Sequence, residues 1–285
     1  MIQRTIPLQL LNSYLVDAHA DYYYHYDTDR ELSEILSWAH RSQLPIHILG
    51  GGTNVLLKTP LIKGLIIHMA AYGYSITNTT ISVGSGVDSA LFSLLARNHS
   101  LTGAEFLYAL PGSIGGAIYM NARAFDRSIS DIILSARIMD HTGKIVTLQA
   151  DDMAFAYKDS FFQHNPGIIL SADFKLDHGD KENIDSLMTE NIQGRRSRGH
   201  FDYPSCGSVF KNPYDVGIPA GKLIETSGLK GKSIGDAKVF EKHANFIINN
   251  GNASGDDIAQ LIIFVQKTVE SQHHVNLTPE VCFWD

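Results

Sequence analysis

The sequence predicts an α+β fold, in which helices and strands mix without the regular alternation of a doubly wound parallel sheet. Three observations support this prediction. Apolar residues recur at helical spacing in several segments, short apolar runs bounded by turn residues lie between them, and one segment is typical of a β-hairpin. In that segment, residues 132–139 and 144–148 flank the turn residues His141, Thr142 and Gly143.

The first two-thirds of the chain supplies most of these elements. A helix is expected at about residues 30–42, with Asp27 or Thr28 as its N-cap. Four apolar residues share one face of that helix, namely Leu32, Ile35, Leu36 and Ala39. A short buried strand is expected directly after it, at residues 46–49. Further strands are expected at residues 65–69 and 80–83, and a second helix at residues 88–97.

A domain boundary is expected near Gly194, where a polar helix at about residues 181–192 gives way to a basic and then Gly/Pro-rich stretch. Residues 1–193 and 194–285 are therefore predicted to form separate domains. The second domain is expected to contain a helix at residues 220–226, a strand at 246–248, a long helix at about 256–270 with Ser254 as N-cap, and a final strand at 279–284.

Composition and charge restrict the function classes. With 285 residues, of which 44% are hydrophobic and 19% charged, the chain is typical of a globular protein with about two domains. The formal net charge of −7 argues against a nucleic-acid-binding role. No apolar run approaches the roughly twenty residues that span a bilayer, so no membrane insertion and a cytoplasmic location are expected. The two cysteines form no disulfide framework, and no spaced Cys/His cluster indicates a metal site.

Two glycine-rich turns are the most informative motifs. The first is Gly50-Gly51-Gly52-Thr53-Asn54, and the second is Pro111-Gly112-Ser113-Ile114-Gly115-Gly116. Glycine lets backbone N–H groups approach an anion without a Cβ in the way. Neither turn has the Lys-Ser or Lys-Thr ending of a nucleoside-triphosphate loop, and neither has the spaced glycines of the dinucleotide motif. Each is interpreted as an oxyanion or pyrophosphate cradle, with a tight structural turn as the alternative.

The C-terminal part holds a third motif, Gly207-Ser208-Val209-Phe210-Lys211-Asn212-Pro213. Ser208 lacks the G-x-S-x-G pattern of an acyl-transfer nucleophile, so a hydrolase is disfavoured. The motif gains significance from its order in the chain, after the two glycine turns and before a terminal Pro279-Glu280-Val281.

With these residues the chain resembles the flavin-dependent UDP-N-acetylenolpyruvoylglucosamine reductases of bacterial peptidoglycan synthesis, and it looks like their shorter subtype. The resemblance covers about residues 12–284. It is carried by seven ordered matches: the first glycine turn, residues 103–106 continuing into 111–122, Tyr157-Lys158-Asp159-Ser160, residues 207–213, residues 220–225, Glu241-Lys242-His243-Ala244 and Pro279-Glu280-Val281.

The resemblance implies a fold and a cofactor. The fold is the two-subdomain FAD-binding fold of the vanillyl-alcohol-oxidase (PCMH) type, with subdomains at about residues 1–75 and 76–193. A C-terminal α+β substrate-binding domain follows at residues 194–285. FAD is expected to bind non-covalently, and the implied contacts are Gly50, Gly51, Gly52, Thr53, Asn54, Pro111, Gly112, Ser113, Gly115, Gly116 and Asn121. For Asn121, an amide that stabilises a turn is an equal alternative.

The resemblance also implies a reaction, in which NADPH reduces the flavin and the enolpyruvyl ether of UDP-N-acetylglucosamine enolpyruvate is then reduced to UDP-N-acetylmuramate. Ser208 is the implied proton donor, and Glu280 orients the substrate or handles charge near its carboxylate. Lys158 stands where the family usually has arginine, so it keeps the charge but loses the two-pronged fork. The alternatives are a turn hydroxyl for Ser208, a solvated acid for Glu280 and a surface lysine for Lys158.

The implied substrate contacts are Tyr157, Lys211, Asn212 and His243, and charge alone adds Arg195, Arg196 and Arg198 as diphosphate candidates. His243 is equally interpreted as a packed core residue. Cys206 and Cys282 lie two residues from Ser208 and Glu280, which suggests a thiol-sensitive activity. A monomer is favoured. Two other functions stay open: another FAD-dependent oxidoreductase of the same fold, and a non-catalytic protein that binds a nucleotide sugar or flavin.

Overall fold

The structure is a computed structural model that describes every residue from 1 to 285. Its contacts divide the chain into two compact units: unit 1 comprises Met1–Arg4, Tyr22–Gly51 and Gly64–Gly194, and unit 2 comprises Thr5–Asp21, Gly52–Lys63 and Arg195–Asp285. Unit 2 therefore contains two short N-terminal segments besides the C-terminal part of the chain. The predicted division into residues 1–193 and 194–285 groups these segments with the first domain, and as a statement about domains it stays a prediction.

The elements confirm the predicted α+β class. The strands are β1 Gln3–Pro7, β2 His19–His25, β3 Ile46–Leu49, β4 Val55–Leu57, β5 Leu61–His68, β6 Tyr74–Thr77, β7 Thr80–Gly84, β8 Leu101–Thr102, β9 Arg123–Ala124, β10 Arg127–Ser128, β11 Ile133–Asp140, β12 Ile145–Gln149, β13 Gly167–Lys175, β14 Asp177–His178, β15 Ser205–Ser208, β16 Ser233–Ile234, β17 Ala237–Val239, β18 Phe246–Asn249 and β19 Cys282–Trp284. The helices are α1 Asp29–Arg41, α2 Ser89–Asn98, α3 Glu105–Tyr108, α4 Ile114–Tyr119, α5 Phe161–His164, α6 Lys181–Ser197, α7 Ala220–Thr226 and α8 Gly255–His273.

In unit 1, helix α1 packs its apolar face on Tyr24 of β2 and on Leu65 and Ile67 of β5. These strands belong to a sheet of order β1-β2-β5-β3. The helix begins where predicted, because Thr28 Oγ1 accepts a hydrogen bond from the Glu31 amide at 3.2 Å. Three residues of the predicted apolar face are buried, namely Leu32, Leu36 and Ala39. The helical period in the sequence thus identifies the packed face correctly.

A five-stranded sheet of order β12-β11-β13-β7-β6 forms the rest of the unit 1 framework. Its four strand pairs are all antiparallel. The β11–β12 pair is the predicted hairpin, and the Asp140 carboxylate closes its turn by accepting from the amides of Thr142 and Lys144 at 2.8 and 3.0 Å. Helix α2 covers this sheet, with the Phe92 and Phe174 rings 4.8 Å apart in the core.

Unit 2 contains an antiparallel sheet of order β15-β18-β17-β16, on which helix α8 packs. The predicted N-cap of α8 is confirmed, because Ser254 and Asp257 bind each other's backbone amides in a capping box. A separate parallel pair joins β4 to β19, with Val55 opposite Cys282. This pair places the chain directly after the first glycine turn beside the C-terminus.

Four predicted element ends differ from the observed ones by three or more residues: β5 begins at Leu61, α8 ends at His273, and the other two ends are those of α6 and the last strand. Helix α6 continues through Gly194 to Ser197, because its stop signal is Gly199 at φ +76°. There the amides of Gly199 and His200 bind the carbonyls of Arg196 and Arg195 at 2.9 and 3.1 Å, in a Schellman motif. The last strand begins at Cys282, where pairing with β4 starts, because Pro279 lies opposite Phe210 instead.

No helix of the chain combines the length and the apolar character that crossing a membrane requires.

Candidate functional site

The residues predicted to form the site are distributed over both units. Unit 1 holds Gly50, Gly51, residues 111–116, Asn121, Tyr157 and Lys158, and unit 2 holds Gly52, Thr53, Asn54, Ser208, Lys211, Asn212, His243 and Glu280. The first glycine turn is thus shared between the units, whose boundary falls between Gly51 and Gly52.

In unit 1, the two glycine turns pack directly against each other. The Gly51 N–H donates to Ser113 Oγ at 3.2 Å, and a Cβ on Gly51 would lie only 2.7 Å from the Gly112 Cα. A Cβ on Gly50 would collide with the Ser113 hydroxyl. The contact between the turns therefore requires glycine at position 51, where the neighbour is backbone, and favours it at position 50, where a larger residue would displace the Ser113 hydroxyl. This supports the structural-turn alternative for Gly50 and Gly51, and a direct flavin contact by these two residues stays a prediction.

Several amides of the second turn are used inside the protein. The N–H groups of Ile114 and Gly115 donate to the carbonyls of Val87 and Ser85, both at 2.8 Å. The Gly116 N–H faces the hydroxyl of the helix-capping Ser113 at 3.4 Å. These contacts orient helix α4, so its first amides are unavailable to a ligand.

The two preceding amides have different surroundings. Gly112 lies at φ +119°, a conformation open mainly to glycine, and the N–H groups of Gly112 and Ser113 have no acceptor within the protein. Adjacent backbone amides of this kind are the donors that a phosphate group accepts. The second turn therefore fits the expected flavin pyrophosphate, through these two amides rather than through the whole turn.

Gly52, in unit 2, is required by packing. It lies at φ +65°, and a Cβ would collide with the Leu11 carbonyl. The Gly52 carbonyl in turn accepts from the Ser13 N–H at 3.0 Å. The glycine thus allows the turn to lie against the N-terminal segment of the same unit, a contact that the local sequence pattern does not indicate.

Ser208 directly follows a β-bulge in strand β15. Ser205 lies opposite Ile248 and Ser208 opposite Phe246, so β15 carries one extra residue between these pairs. Within the bulge, Gly207 has φ +72°, which favours glycine. Bulges bend a strand and redirect side chains, and they are frequent beside active sites. The bulge therefore sets the direction in which the Ser208 side chain leaves the strand.

The segment after Ser208 pairs with the segment that carries Glu280. The Glu280 N–H donates to the Val209 carbonyl at 2.7 Å, and the Lys211 N–H donates to the Thr278 carbonyl at 2.9 Å. The structure thus brings the backbones of Ser208, the predicted proton donor, and Glu280 onto neighbouring segments of one unit. A joint role of the Ser208 and Glu280 side chains stays a prediction.

Asn54 belongs to the same group. Its side-chain Nδ2 donates to the Glu280 carbonyl at 3.0 Å. The family resemblance implies a flavin contact for this amide, whereas one of its two N–H bonds holds the Glu280 backbone. A flavin contact by Asn54 stays a prediction.

Both thiols lie in this part of unit 2. Burial raises the pKa of Cys282, the Glu280 carboxylate raises it further, and the Lys211 ammonium opposes this rise. Cys206 donates to the Val55 carbonyl at 3.3 Å, and burial raises its pKa far above the usual range. Since thiolates rather than thiols react with alkylating agents, the structure argues against a thiol-sensitive activity, although Cys282 lies within electrostatic reach of two predicted site residues.

Asn212 has a structural contact besides its predicted substrate contact. Its Oδ1 accepts from the Ala220 N–H at 3.0 Å. Ala220 is the first residue of α7. The first N–H groups of a helix have no acceptor within it. Asn212 therefore fixes the start of α7 relative to the Ser208 segment.

In unit 1, Tyr157 and Lys158 form the tip of a two-residue turn. Reciprocal backbone bonds of 3.1 and 3.3 Å between Ala156 and Asp159 close it. Lys158 lies at φ +55°, which costs a non-glycine residue roughly 1–2 kcal/mol. Gln163 stabilises the turn by donating to the Lys158 carbonyl at 3.1 Å. A strained residue held by its surroundings is a common feature of functional sites.

Asn121 braces this turn. Its Nδ2 donates to the Ala156 carbonyl at 2.9 Å, and its Oδ1 accepts from the Ser130 N–H at 3.1 Å. The side chain is buried, and both ends of its amide bind backbone. The structure therefore supports the turn-stabilising alternative for Asn121, while a flavin contact stays a prediction.

His243 packs in a ring cluster of unit 2. Its ring lies 5.2 Å from the His200 ring and 4.4 Å from the Phe246 ring. Burial lowers the pKa of His243, and burial together with the nearby Arg195 lowers the pKa of His200 to about 3. Both rings are therefore neutral near pH 7, which supports the packed-core alternative for His243. Of the three arginines named as diphosphate candidates, Arg196 and Arg198 are exposed and Arg195 is half-buried.

Sequence reasoning missed two residues that hold the predicted groups in place. Gln163 binds the Lys158 turn, and Asn245 binds the backbone of Phe210, two residues after Ser208. Asn245 directly follows the Glu241-Lys242-His243-Ala244 motif, which is the one signal that could have drawn attention to it. Gln163 carries no such signal.

Comparisons with known proteins cover both units. Residues 20–149 match the family described as FAD binding domain, and residues 199–284 match the one described as UDP-N-acetylenolpyruvoylglucosamine reductase, C-terminal domain. The UDP-N-acetylenolpyruvoylglucosamine reductase 2 of Bacillus anthracis is 42% identical over 254 residues, which are 88% of this chain and 82% of the relative. The UDP-N-acetylenolpyruvoylglucosamine reductase of Listeria monocytogenes serovar 1/2a is 40% identical over 258 residues, 89% of this chain and 85% of the relative.

A solved structure is similar over the full length. The crystal structure of UDP-N-acetylenolpyruvylglucosamine reductase from Thermus caldophilus superimposes with a TM-score of 0.84 at 28% sequence identity. The match covers 100% of this chain and 99% of that chain.

Proposed function

The chain belongs to the UDP-N-acetylenolpyruvoylglucosamine reductase family, and we propose that it reduces the enolpyruvyl ether of UDP-N-acetylglucosamine enolpyruvate to UDP-N-acetylmuramate in peptidoglycan synthesis. FAD is the proposed cofactor and NADPH the proposed reductant. Family membership supports the reaction. The observation that supports the residue roles is the 2.7 Å hydrogen bond from the Glu280 N–H to the Val209 carbonyl. It joins the segment of Glu280 to that of Ser208, the proposed proton donor.

Bound FAD would supply hydride chemistry, from NADPH to the methylene carbon of the enolpyruvyl group. The amides of Gly112 and Ser113 are the groups proposed to hold its pyrophosphate, because their N–H bonds have no acceptor in the protein.

Hydride addition leaves negative charge on the neighbouring carbon and on the carboxylate attached to it. Lys158 supplies positive charge to this region, and such charge stabilises the transition state most when it is fixed in advance. The braced turn keeps the lysine backbone in place, so only the side chain has to be ordered when the substrate binds.

Ser208 transfers its hydroxyl proton to the charged carbon. A serine hydroxyl is a weak acid, but a carbanion-like carbon is a strong base, and the Lys211 ammonium in the same motif stabilises the alkoxide that forms. Glu280 orients the substrate beside it, with its backbone held by Val209 and Asn54.

The substrate contacts proposed besides these are Tyr157, Asn212 and His243. The proposed location is the cytoplasm. A monomer is the proposed oligomeric state. Size-exclusion chromatography with light scattering tests this state, and a stable dimer would contradict it.

Anaerobic stopped-flow absorbance tests the reaction. NADPH should bleach the flavin colour, and UDP-N-acetylglucosamine enolpyruvate should restore it quickly. Restoration by oxygen but not by this substrate would instead indicate another flavin oxidoreductase. Ser208→Ala should bleach normally and lose the restoration. If both steps stayed unchanged in that variant, Ser208 would not be the proton donor.

A further inference from the structure

The chain segments that contain Asn54 and Glu280 are joined by backbone hydrogen bonds as well as by the Asn54 side chain. Two residues beyond Glu280, the Cys282 N–H donates to the Asn54 carbonyl at 2.9 Å. From there, β4 and β19 continue as a parallel pair, with Cys282 opposite Val55. The bond from Asn54 Nδ2 to the Glu280 carbonyl, at 3.0 Å, extends this pairing past the end of the regular strands.

Glu280 lies where regular pairing stops. It belongs to no strand, and the next residue, Val281, is a bend. In such a segment, the position of a side chain depends on the few hydrogen bonds that its own backbone makes. Glu280 has one on each side: its N–H binds Val209, next to Ser208, and its carbonyl binds Asn54, the last residue of the first glycine turn.

We infer that Asn54 is a positioning residue for Glu280, holding the backbone of this acid at a set distance from the Ser208 segment. This inference rests on the proposed function. Without the Asn54 amide, the Glu280 carbonyl loses this donor, and the bonds that flank it, from the Glu280 N–H to Val209 and from the Cys282 N–H to the Asn54 carbonyl, hold it less closely. Small displacements of this kind are costly, since a shift of about 1 Å in a catalytic group reduces a rate by up to about 100-fold.

A flavin-binding role for Asn54 predicts a different defect. If the Nδ2 group mainly held the pyrophosphate, its loss would weaken FAD binding and leave the Glu280 segment in place. If it mainly holds Glu280, FAD binding and the reaction with NADPH are spared, and the step that uses the substrate is slowed. The affinity for FAD and the two half-reactions therefore separate these roles.

The variants are Asn54→Ala, which removes the amide, and Asn54→Asp, which keeps its shape but replaces the N–H donor with a carboxylate oxygen. Lys58→Ala is the matched control. Lys58 Nζ lies 2.9 Å from Asp285 Oδ1 in an exposed ion pair, so its loss removes another side-chain contact between the same two chain segments without touching Glu280. Titration of the apoprotein measures FAD affinity, and anaerobic stopped-flow absorbance measures each half-reaction.

In both Asn54 variants, we expect the FAD dissociation constant and the bleaching by NADPH to stay within about twofold of the wild type. Restoration of the colour by UDP-N-acetylglucosamine enolpyruvate should be about 10–100-fold slower. Lys58→Ala should match the wild type in all three measurements. A variant that combines Asn54→Ala with Glu280→Gln should be no slower than Glu280→Gln alone, because both changes disable the same group.

Weaker FAD binding with normal restoration in flavin-saturated variants would overturn the inference, as would additive slowing in the double variant. If the wild-type enzyme reduces this substrate, either result contradicts only the inference and leaves the proposed function unaffected. A wild-type flavin that this substrate does not reoxidise would overturn the proposed function itself, and the inference with it.

Discussion

The side-chain amide of Asn245 binds both backbone groups of Phe210. Its Nδ2 donates to the Phe210 carbonyl at 2.9 Å, and its Oδ1 accepts from the Phe210 N–H at 3.0 Å. One residue earlier, the Val209 N–H donates to the Asn245 carbonyl at 2.8 Å. After the bulge has interrupted β15, this buried side chain therefore replaces the strand pairing that would otherwise hold the segment after Ser208.

Asn245→Ala should destabilise the protein by about 2–4 kcal/mol, because a buried donor and a buried acceptor of Phe210 would lose their partner at roughly 1–3 kcal/mol each. Urea unfolding of the apoprotein measures this. Asn252→Ala, at an exposed position three residues after β18, is the control and should change stability by less than about 0.5 kcal/mol. Equal unfolding curves for the two variants would show that the Phe210 contacts contribute nothing.

Gly207→Ala should destabilise the protein by about 1–2 kcal/mol, the usual penalty for a side chain in the left-handed region. The reason is conformational rather than steric, since the nearest atom to an added Cβ is Phe246 Cζ at 4.0 Å. We also expect slower restoration of the flavin colour, because the bulge directs Ser208. Gly194→Ala, inside α6 with no atom within 4 Å of the new Cβ, should stabilise by up to about 1 kcal/mol. If thermal unfolding showed that both variants were stabilised, or that both were destabilised, this explanation would be wrong.

Lys158→Gln should slow the second half-reaction by about 10²–10³-fold while NADPH still bleaches the flavin, because it removes the charge proposed to stabilise the developing anion. Glutamine at position 158 must adopt the same φ of +55° as lysine, so the two proteins have the same backbone strain. Lys158→Arg should preserve or raise the rate. A large loss in the arginine variant would show that the site is built around lysine, and an unchanged rate in Lys158→Gln would remove Lys158 from the mechanism.

His200 should make the protein sensitive to mild acid. Its pKa is about 3 in the folded state because burial, then Arg195, His243 and Arg198, disfavour its charged form, whereas an unfolded histidine titrates near 6.5. Between these values the unfolded chain binds the extra proton, so the stability from neutral His200 is present above about pH 6.5 and is lost as pH falls towards 3. His200→Phe keeps a ring beside Phe246, 4.7 Å away, and removes this titration. Urea unfolding should therefore show that the free energy of unfolding falls less in the variant than in the wild type between pH 7 and pH 4. Equal falls would show that His200 does not cause the acid sensitivity.

Local signals in the sequence were enough for several elements. Helix α1 was predicted from its apolar period and its Thr28 cap, the β11–β12 hairpin from its turn residues, and the start of α8 from Ser254. In each case the deciding interactions join residues a few positions apart, so residue type and spacing contain the information. Where a stop signal was misjudged, at Gly194 in α6, the true stop was also local, at Gly199.

By itself, the sequence determined the α+β class, the main helices and strands, and the ordered motifs by which the family is recognised. The tertiary structure alone decided what those motif residues do to one another. Gly51 meets Ser113 from 62 residues away, and Asn54 meets Glu280 from 226 residues away. The physical reason is that folding decides which distant group meets a side-chain amide or a glycine backbone, and no local pattern records which group that is.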